Sequence, residues 1–286
     1  MSLKPFCIAG FLFPFPLVFG GIFPPAMGVA SLEDGTVVVG REYLLWAGAP
    51  GVLRASEVGC DRFYRPVSSP DLGAVAVWAG SDAVNCVVVV TGSGYEVMGP
   101  YTQAGFPCWD GEGNLWFTAE GLLRRNGEAV ERELSTHHIS VDHTGGKVVF
   151  TDQGDRILSM NIGTGAVDTV STTYRFYGPF FTPGGAIVSP SLDGGIWMFR
   201  GSEALFVDHG EHPAWWLEKN GIVYIRSTDD GMNLTSSDIW LWTVEGGAQQ
   251  LTDTPYILEI NPAPTREGVY YVDAFSGLVG CAEAIR

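Results

Sequence analysis

The feature that most constrains the fold is a glycine followed at once by a short apolar run, repeated seven times. It reads Gly35-Thr-Val-Val-Val, Gly73-Ala-Val-Ala-Val, Gly113-Asn-Leu-Trp-Phe, Gly146-Lys-Val-Val-Phe, Gly185-Ala-Ile-Val, Gly221-Ile-Val-Tyr-Ile and Gly268-Val-Tyr-Tyr-Val. Successive glycines lie 38, 40, 33, 39, 36 and 47 residues apart. Six of the seven have a proline shortly upstream, Pro25, Pro66, Pro107, Pro179, Pro213 and Pro262; in the fourth, His138-Ile139 takes that place. Second short strands follow, as at 43–46, 87–90, 157–161, 196–199 and 239–242, and third strands after glycine-containing turns, as at 166–170. No long window carries a 3.6-residue period. Short strands, frequent glycine turns and a period near 40 predict an all-β chain, a single β-propeller over residues 1–286 with one four-stranded blade per repeat. Seven repeats predict seven blades, with a six-bladed ring as the rival count.

Composition narrows the function classes. The 286 residues are 46% hydrophobic and only 17% charged, which excludes a disordered chain or a coiled coil and is ample for a large core. Acidic residues outnumber basic ones 32 to 16, a net charge of −16, and no basic cluster interrupts the trend. Such a chain repels a phosphate backbone, so no nucleic-acid partner is expected.

The N-terminus admits three readings. From Pro5 to Leu32 there is no charged side chain. The run fits a secretory signal ending at Gly28-Val29-Ala30, and it exceeds the roughly 20 residues of a membrane-spanning helix. Pro5, Pro14, Pro16, Pro24 and Pro25 oppose a helix, and the Phe and Val content suits strands. In the third reading, strands at 6–13 and 17–22 complete the last blade, which has only 19 residues from Gly268 onward and so falls about two strands short. That closure would pair an otherwise open sheet edge. It would also bring Cys7 near Cys281, a disulfide to be tested by their separation. A membrane association is expected only if 5–32 is an anchor, and a cytoplasmic location is slightly favoured over export.

The resemblance to known families rests on three stretches. Ser69-Pro70-Asp71-Leu72-Gly73 resembles the Ser-Pro-Asp-Gly turn of TolB-like (PD40, WD40-like) propellers, with Leu72 inserted. Asp238-Ile239-Trp240, Gly246-Gly247, Gln250-Leu251-Thr252 and Pro262 together resemble one complete TolB-type unit. Thr151-Asp152-Gln153-Gly154-Asp155-Arg156-Ile157 through Thr164-Gly165 is similar to units of the YVTN and NHL propellers. Asp142-His143-Thr144-Gly145-Gly146 and Glu218-Lys219-Asn220-Gly221 depart from the family turn by lacking its proline. The resemblance implies a propeller but no single activity, because such propellers serve as docking platforms, envelope components and enzymes.

In a propeller the loops leading into the innermost strands converge on one mouth of the central channel. Those loops hold Tyr64, Arg65, Trp109, Asp110, His138, Arg175, Tyr177, His212, Trp215 and Trp216, the candidate binding residues, with Phe106, Cys108, His137, Tyr174, Glu211 and Glu259 beside them. Aromatic and arginine side chains on a rigid face suit a protein or peptide partner, although the same rings also serve to pack blades together. The strand tryptophans Trp46, Trp78, Trp116, Trp197, Trp240 and Trp242 are expected to pack between blades. His137, His138, His143 and Asp142 are the densest metal-capable cluster, but neighbours on a strand point to opposite faces, so no metal site is assigned. Asp229, Asp230, Asn233 and Asp238 sit in the insertion 227–238 without the spacing of a calcium loop, and a solvated hairpin on the face opposite the mouth is expected. The five cysteines form no Cys-x-x-Cys pair and are read as buried thiols. No phosphate loop, dinucleotide fingerprint or nucleophile elbow is present, so no cofactor is expected and catalytic residues stay unassigned.

The leading expectation is therefore a non-catalytic scaffold that binds a protein or peptide at the channel mouth. The alternatives are a propeller enzyme of lactonase or lyase type, with a metal or histidine near the channel, and an exported envelope component resembling the TolB propeller.

Overall fold

The structure is a computed structural model that describes residues 26–33, 35–46, 51–173, 175–266 and 268–283. Seven antiparallel sheets follow one another along the chain as the blades of a ring. Each second strand begins at, or one or two residues after, one of the repeat glycines: Gly35–Gly40, Ala74–Gly80, Leu115–Ala119, Lys147–Thr151, Ile187–Pro190, Gly221–Asp229 and Gly268–Asp273. The first strands are Ala26–Leu32, Arg62–Ser68, Cys108–Trp109, Ile139–Val141, Phe180–Phe181, Glu211–Trp216 and Glu259–Pro264. Blades 1 to 6 have four strands and blade 7 has three among the described residues, ending at Val279–Glu283. Seven blades are thus present, and the six-bladed count is set aside.

Among the described residues the last blade falls short by one strand, not two. Each blade starts at the strand upstream of its glycine, so Glu259–Pro264 already belongs to blade 7. The N-terminal strands expected to complete it, with Cys7 and its suggested bridge to Cys281, lie outside the described residues, as does the rest of the run up to Pro25.

Period-two alternation explains how flat blades make a core. In Ala74–Gly80 the side chains of Val75, Val77 and Ala79 face blade 1, where they meet Val37, Val39 and Leu44. Ala76 and the half-buried Trp78 face blade 3 and meet Leu115, Phe117 and Ala119. Both faces of the middle strands are therefore dry, which is why the sequence reads there as unbroken Val and Ala. The same arrangement recurs between blades 3 and 4, 4 and 5, 5 and 6, and 6 and 7. Trp46, Trp116 and Trp242 are buried in these seams, and Trp78, Trp197 and Trp240 pack against them. Cys60 and Cys86 are buried thiols facing each other at 3.5 Å between blades 1 and 2. Blade 1 meets blade 7 to close the ring, where the Asn261 side chain donates to the Met27 carbonyl at 2.8 Å and the Ala26 amide to the Gly277 carbonyl at 3.1 Å.

A side-chain acceptor braces the turn from first to second strand. In blade 2, Ser69 Oγ accepts from the Ala74 amide and Asp71 accepts from the Gly73 amide. Asp142 takes the Gly146 and Lys147 amides in blade 4, Thr182 the Ala186 amide in blade 5, and Thr265 the Gly268 amide in blade 7. Leu72 is not an insertion in this turn. Its φ of 61° places it at the left-handed position that Gly113 (φ 80°) and Gly185 (φ 78°) hold in blades 3 and 5.

Candidate functional site

A cavity of about 580 Å³ occupies the centre of the ring, walled by the first strands of blades 1, 2, 5, 6 and 7. Of the ten nominated residues, Tyr64, Arg65, Tyr177, His212 and Trp215 line it. Around them stand apolar groups that include Pro66, Phe180, Phe181, Pro213 and Pro262.

The first strands are bent where they pass the cavity. Pairing with the second strand slips between Tyr64 and Val67, between Glu211 and Ala214, and between Ile260 and Ala263. Each slip is a bulge built on a residue followed by proline: Arg65-Pro66, His212-Pro213 and Asn261-Pro262. The leading residues have φ values of 52°, 51° and 53°, and Gly178 before Pro179 has 51°. Left-handed backbone is unfavourable for Arg and His, and the residue before a proline is restricted further. Proline has no amide to leave unpaired, so it suits the bulge that disrupts the ladder. The repeated bulge sets Arg65, His212 and Asn261 at matching places around the channel.

Arg65 is the centre of a stack that spans three blades. Its guanidinium lies 5.0 Å from the Phe106 ring centre and 5.8 Å from that of Tyr64. Arg65 Nη1 is 2.9 Å from His138 Nδ1, and His138 meets Phe106 edge-on at 4.7 Å. Burial, then the charge of Arg65, then His137 push the His138 imidazole down to about 4. It is therefore neutral near pH 7, with Nδ1 able to accept from the guanidinium. His212 is also pushed down, by burial first; Glu211 opposes the shift and Arg65 adds to it. Burial and Glu211 raise the Tyr177 phenol, keeping it a hydrogen-bonding hydroxyl. The site therefore offers one fixed cation, two imidazoles held toward the neutral form and a phenol, among rings and prolines.

The other nominated residues face elsewhere. Asp110 is 1% exposed and braces the first turn of blade 3, accepting from the Glu112 and Asn114 amides, Asn114 Nδ2 and Trp116 Nε1. Trp216 is also 1% exposed and donates from Nε1 to the Thr265 carbonyl at 2.7 Å. Trp109 donates to the Val67 carbonyl at 3.1 Å, tying blade 3 to blade 2. Arg175 is exposed but pairs with Asp155 at 2.7 Å, away from the cavity. Glu259 is fully buried, accepting from the Ile239 amide and the Thr252 and Thr254 hydroxyls; burial raises its carboxyl despite those donors. His137 is exposed beside a separate cavity of about 50 Å³, and His143 packs against Gly111. Among the described residues no three His, Cys, Asp or Glu side chains converge as metal ligands. Asn261 and the bulge prolines are not among the candidate residues, although the prolines upstream of the repeat glycines in blades 2, 6 and 7 mark their place.

The insertion in blade 6 is a hairpin, as expected, but on the mouth face. Strands alternate in direction, so the turn from second to third strand lies on the side where the first strand begins. The Gly221–Asp229 and Leu234–Thr243 strands run past Glu211, whose carboxylate accepts from Ser227 Oγ at 3.2 Å. Other turns on this face carry apolar side chains into solvent. Met232 at the hairpin tip is 91% exposed, Tyr256 in the link from blade 6 to blade 7 is 94%, and Phe275 in the blade 7 turn is 88%.

No protein-family model and no curated protein matches the sequence. The fold does match solved structures. A structure assigned as TolB from Agrobacterium tumefaciens aligns with a TM-score of 0.50 at 17% identity, over 80% of this chain and 82% of that one. A chain of a mitotic checkpoint complex aligns with a TM-score of 0.65 at 10% identity, over 91% and 90%. At these identities the likeness concerns architecture alone, and the architecture is that of a seven-bladed β-propeller.

Proposed function

We propose that the protein is a scaffold that binds a protein or peptide partner on the mouth face of the propeller. The observation that carries this reading is the pairing of a rigid central cavity with exposed apolar turns on the same face. Tyr64, Arg65, Tyr177, His212 and Trp215 wall the cavity, while Met232, Tyr256 and Phe275 stand exposed on the turns of blades 6 and 7 on the same face. Large side chains exposed on one face are the mark of an interaction surface, and a preformed pocket at its centre suits an inserted anchor. Solvent exposure of these side chains costs free energy that a partner would recover. The similar chain from the mitotic checkpoint complex belongs to a protein assembly, which accords with this use of the fold.

The test compares two triads in affinity capture with crosslinking from the cells that express the protein. Met232→Ser/Tyr256→Ser/Phe275→Ser removes the apolar rim of the mouth. Leu217→Ser/Val244→Ser/Val167→Ser removes exposed apolar side chains from turns and an outer strand away from it. A partner held by the wild type and the second triad, but reduced about tenfold or more by the first, is the expected result. Equal capture by both triads overturns the reading.

A further inference from the structure

We propose that Arg65 is the receptor for a carboxylate carried by an acidic peptide segment that enters the mouth cavity. This deepens the scaffold reading and rests on it. Arg65 is the only charged side chain among the described residues that line the cavity, and no Asp or Glu lines it. That is an unusual wall in a chain with twice as many acidic as basic residues. Four other arginines, Arg125, Arg156, Arg175 and Arg226, have carboxylate partners, whereas Arg65 has none within 4 Å among the described residues.

The geometry leaves the guanidinium ready for such a partner. Its one hydrogen bond among the described residues is to His138 Nδ1, which takes a single Nη1 proton. The rest of its donor fork is open to a ligand, and a guanidinium fork matches a carboxylate through two parallel hydrogen bonds. Phe106 and Tyr64, their ring centres 5.6 Å apart, pack side by side against the guanidinium, so part of its side-chain freedom is already lost before binding. The bulge at Arg65-Pro66 fixes the backbone beneath it. Beyond Arg65 the wall becomes apolar, with Phe180, Phe181, Pro213, Trp215 and Pro262, which suits the uncharged side chains flanking an acidic residue. The net charge of −16 favours a singly charged carboxylate over a doubly charged phosphate.

The probe is a library of linear random peptides displayed against the full chain. Selected sequences are then synthesised with each Asp or Glu replaced by its amide, and with free or amidated C-termini. Wild type, Arg65→Gln and Arg65→Lys are titrated with each peptide. Selected peptides are expected to carry one required carboxylate. Its conversion to the amide should weaken binding to the wild type by about tenfold or more, and should change binding to Arg65→Gln by less than about twofold. Arg65→Lys should recover only part of the loss, because it keeps the charge without the fork. The amidated termini tell a side-chain carboxylate from a C-terminal one. Comparison within each variant cancels any general loss of folding, and thermal midpoints check that the variants are folded.

Peptides that bind equally well as amides overturn the carboxylate assignment. If those peptides are still lost by Met232→Ser/Tyr256→Ser/Phe275→Ser, the scaffold reading stands and only the role of Arg65 falls. Selected peptides indifferent to both sets of variants overturn the scaffold reading as well.

Discussion

The Asp110 carboxylate closes the first turn of blade 3 and at the same time anchors Trp116 of the second strand. Burial works to raise this carboxyl, but the Trp116, Asn114 and backbone donors outweigh it and hold the group below its ordinary value. A carboxyl held low binds its proton less tightly in the folded chain than in the unfolded one. Its stabilisation is therefore complete above the ordinary carboxylate range and is lost as the pH falls through the folded value. Asp110→Asn keeps the shape but loses the charge and sets an amide against donors. It should cost about 1–3 kcal/mol at neutral pH, and the gap from wild type should narrow at about pH 3. Urea unfolding of both proteins at the two pH values measures this, and a gap that does not narrow would count against the assignment. Asp110 and Trp216 also show where the sequence stops speaking at this scale. Both lie near the first strands, as expected, but which side of a strand meets the channel depends on the tilt of the blade in the ring. Local spacing carries no record of that tilt. Arg65 and His212 were legible as loop residues, while their left-handed backbone, their bulges and the stack onto Phe106 arise only when three blades meet.

At the scale of the element, the glycine that opens each second strand was a sound marker because it reports a local event, a tight turn before a buried strand. All seven second strands begin at or just after it. The proline upstream is an equally local signal with a second meaning: in blades 2, 6 and 7 it follows a residue of left-handed backbone on the first strand, and in blade 5 it follows Gly178 just before that strand. The blade 6 insertion was placed on the wrong face for a related reason. Treating the glycine strand as the start of the repeat, instead of the proline strand before it, hid the order in which the strands alternate between faces. The hairpin can be shortened without touching the core. Ser227 pairs with Ser237, Ser237 Oγ bonds the Glu259 carbonyl, and everything between them projects beyond Glu211. Replacing residues 228–236 by Asn-Gly supplies a two-residue turn suited to a hairpin. Stability should change by less than about 1 kcal/mol, because only exposed pairs are removed. Capture of a mouth-face partner should weaken, since Met232 goes with the tip. A thermal scan and the capture assay read the two effects separately, and a collapse of stability would show that the hairpin braces the ring.

The ring as a whole is held by apolar seams between blades and, apart from buried carboxyls such as Asp110 and Glu259, carries its charge on the outside. Among the described residues there are only four ion pairs, and each has a partner that is at least one-third exposed, so each adds little stability. Against these stands the mutual repulsion of 32 acidic side chains with 16 basic ones. Compact folding brings those acids closer than the unfolded chain does, so repulsion opposes the folded state. The screening length falls from about 30 Å at 0.01 M salt to about 8 Å at 0.15 M. The first distance spans much of a domain of this size, and the second reaches little past an adjacent blade. Salt over that range should therefore relieve repulsion between blades more than it weakens the short ion pairs. The unfolding midpoint should rise by about 2–5 °C from 0.01 to 0.15 M sodium chloride, given that about 1 kcal/mol moves a domain of this size by a few degrees. The rise should be unchanged in Arg175→Gln, whose ion pair with Asp155 is exposed, and smaller in a variant that replaces several surface Glu by Gln. Calorimetry at the two salt concentrations decides it. A midpoint that falls with salt would mean that attraction between the few opposite charges, and not repulsion among the many like ones, sets the electrostatic balance of the propeller.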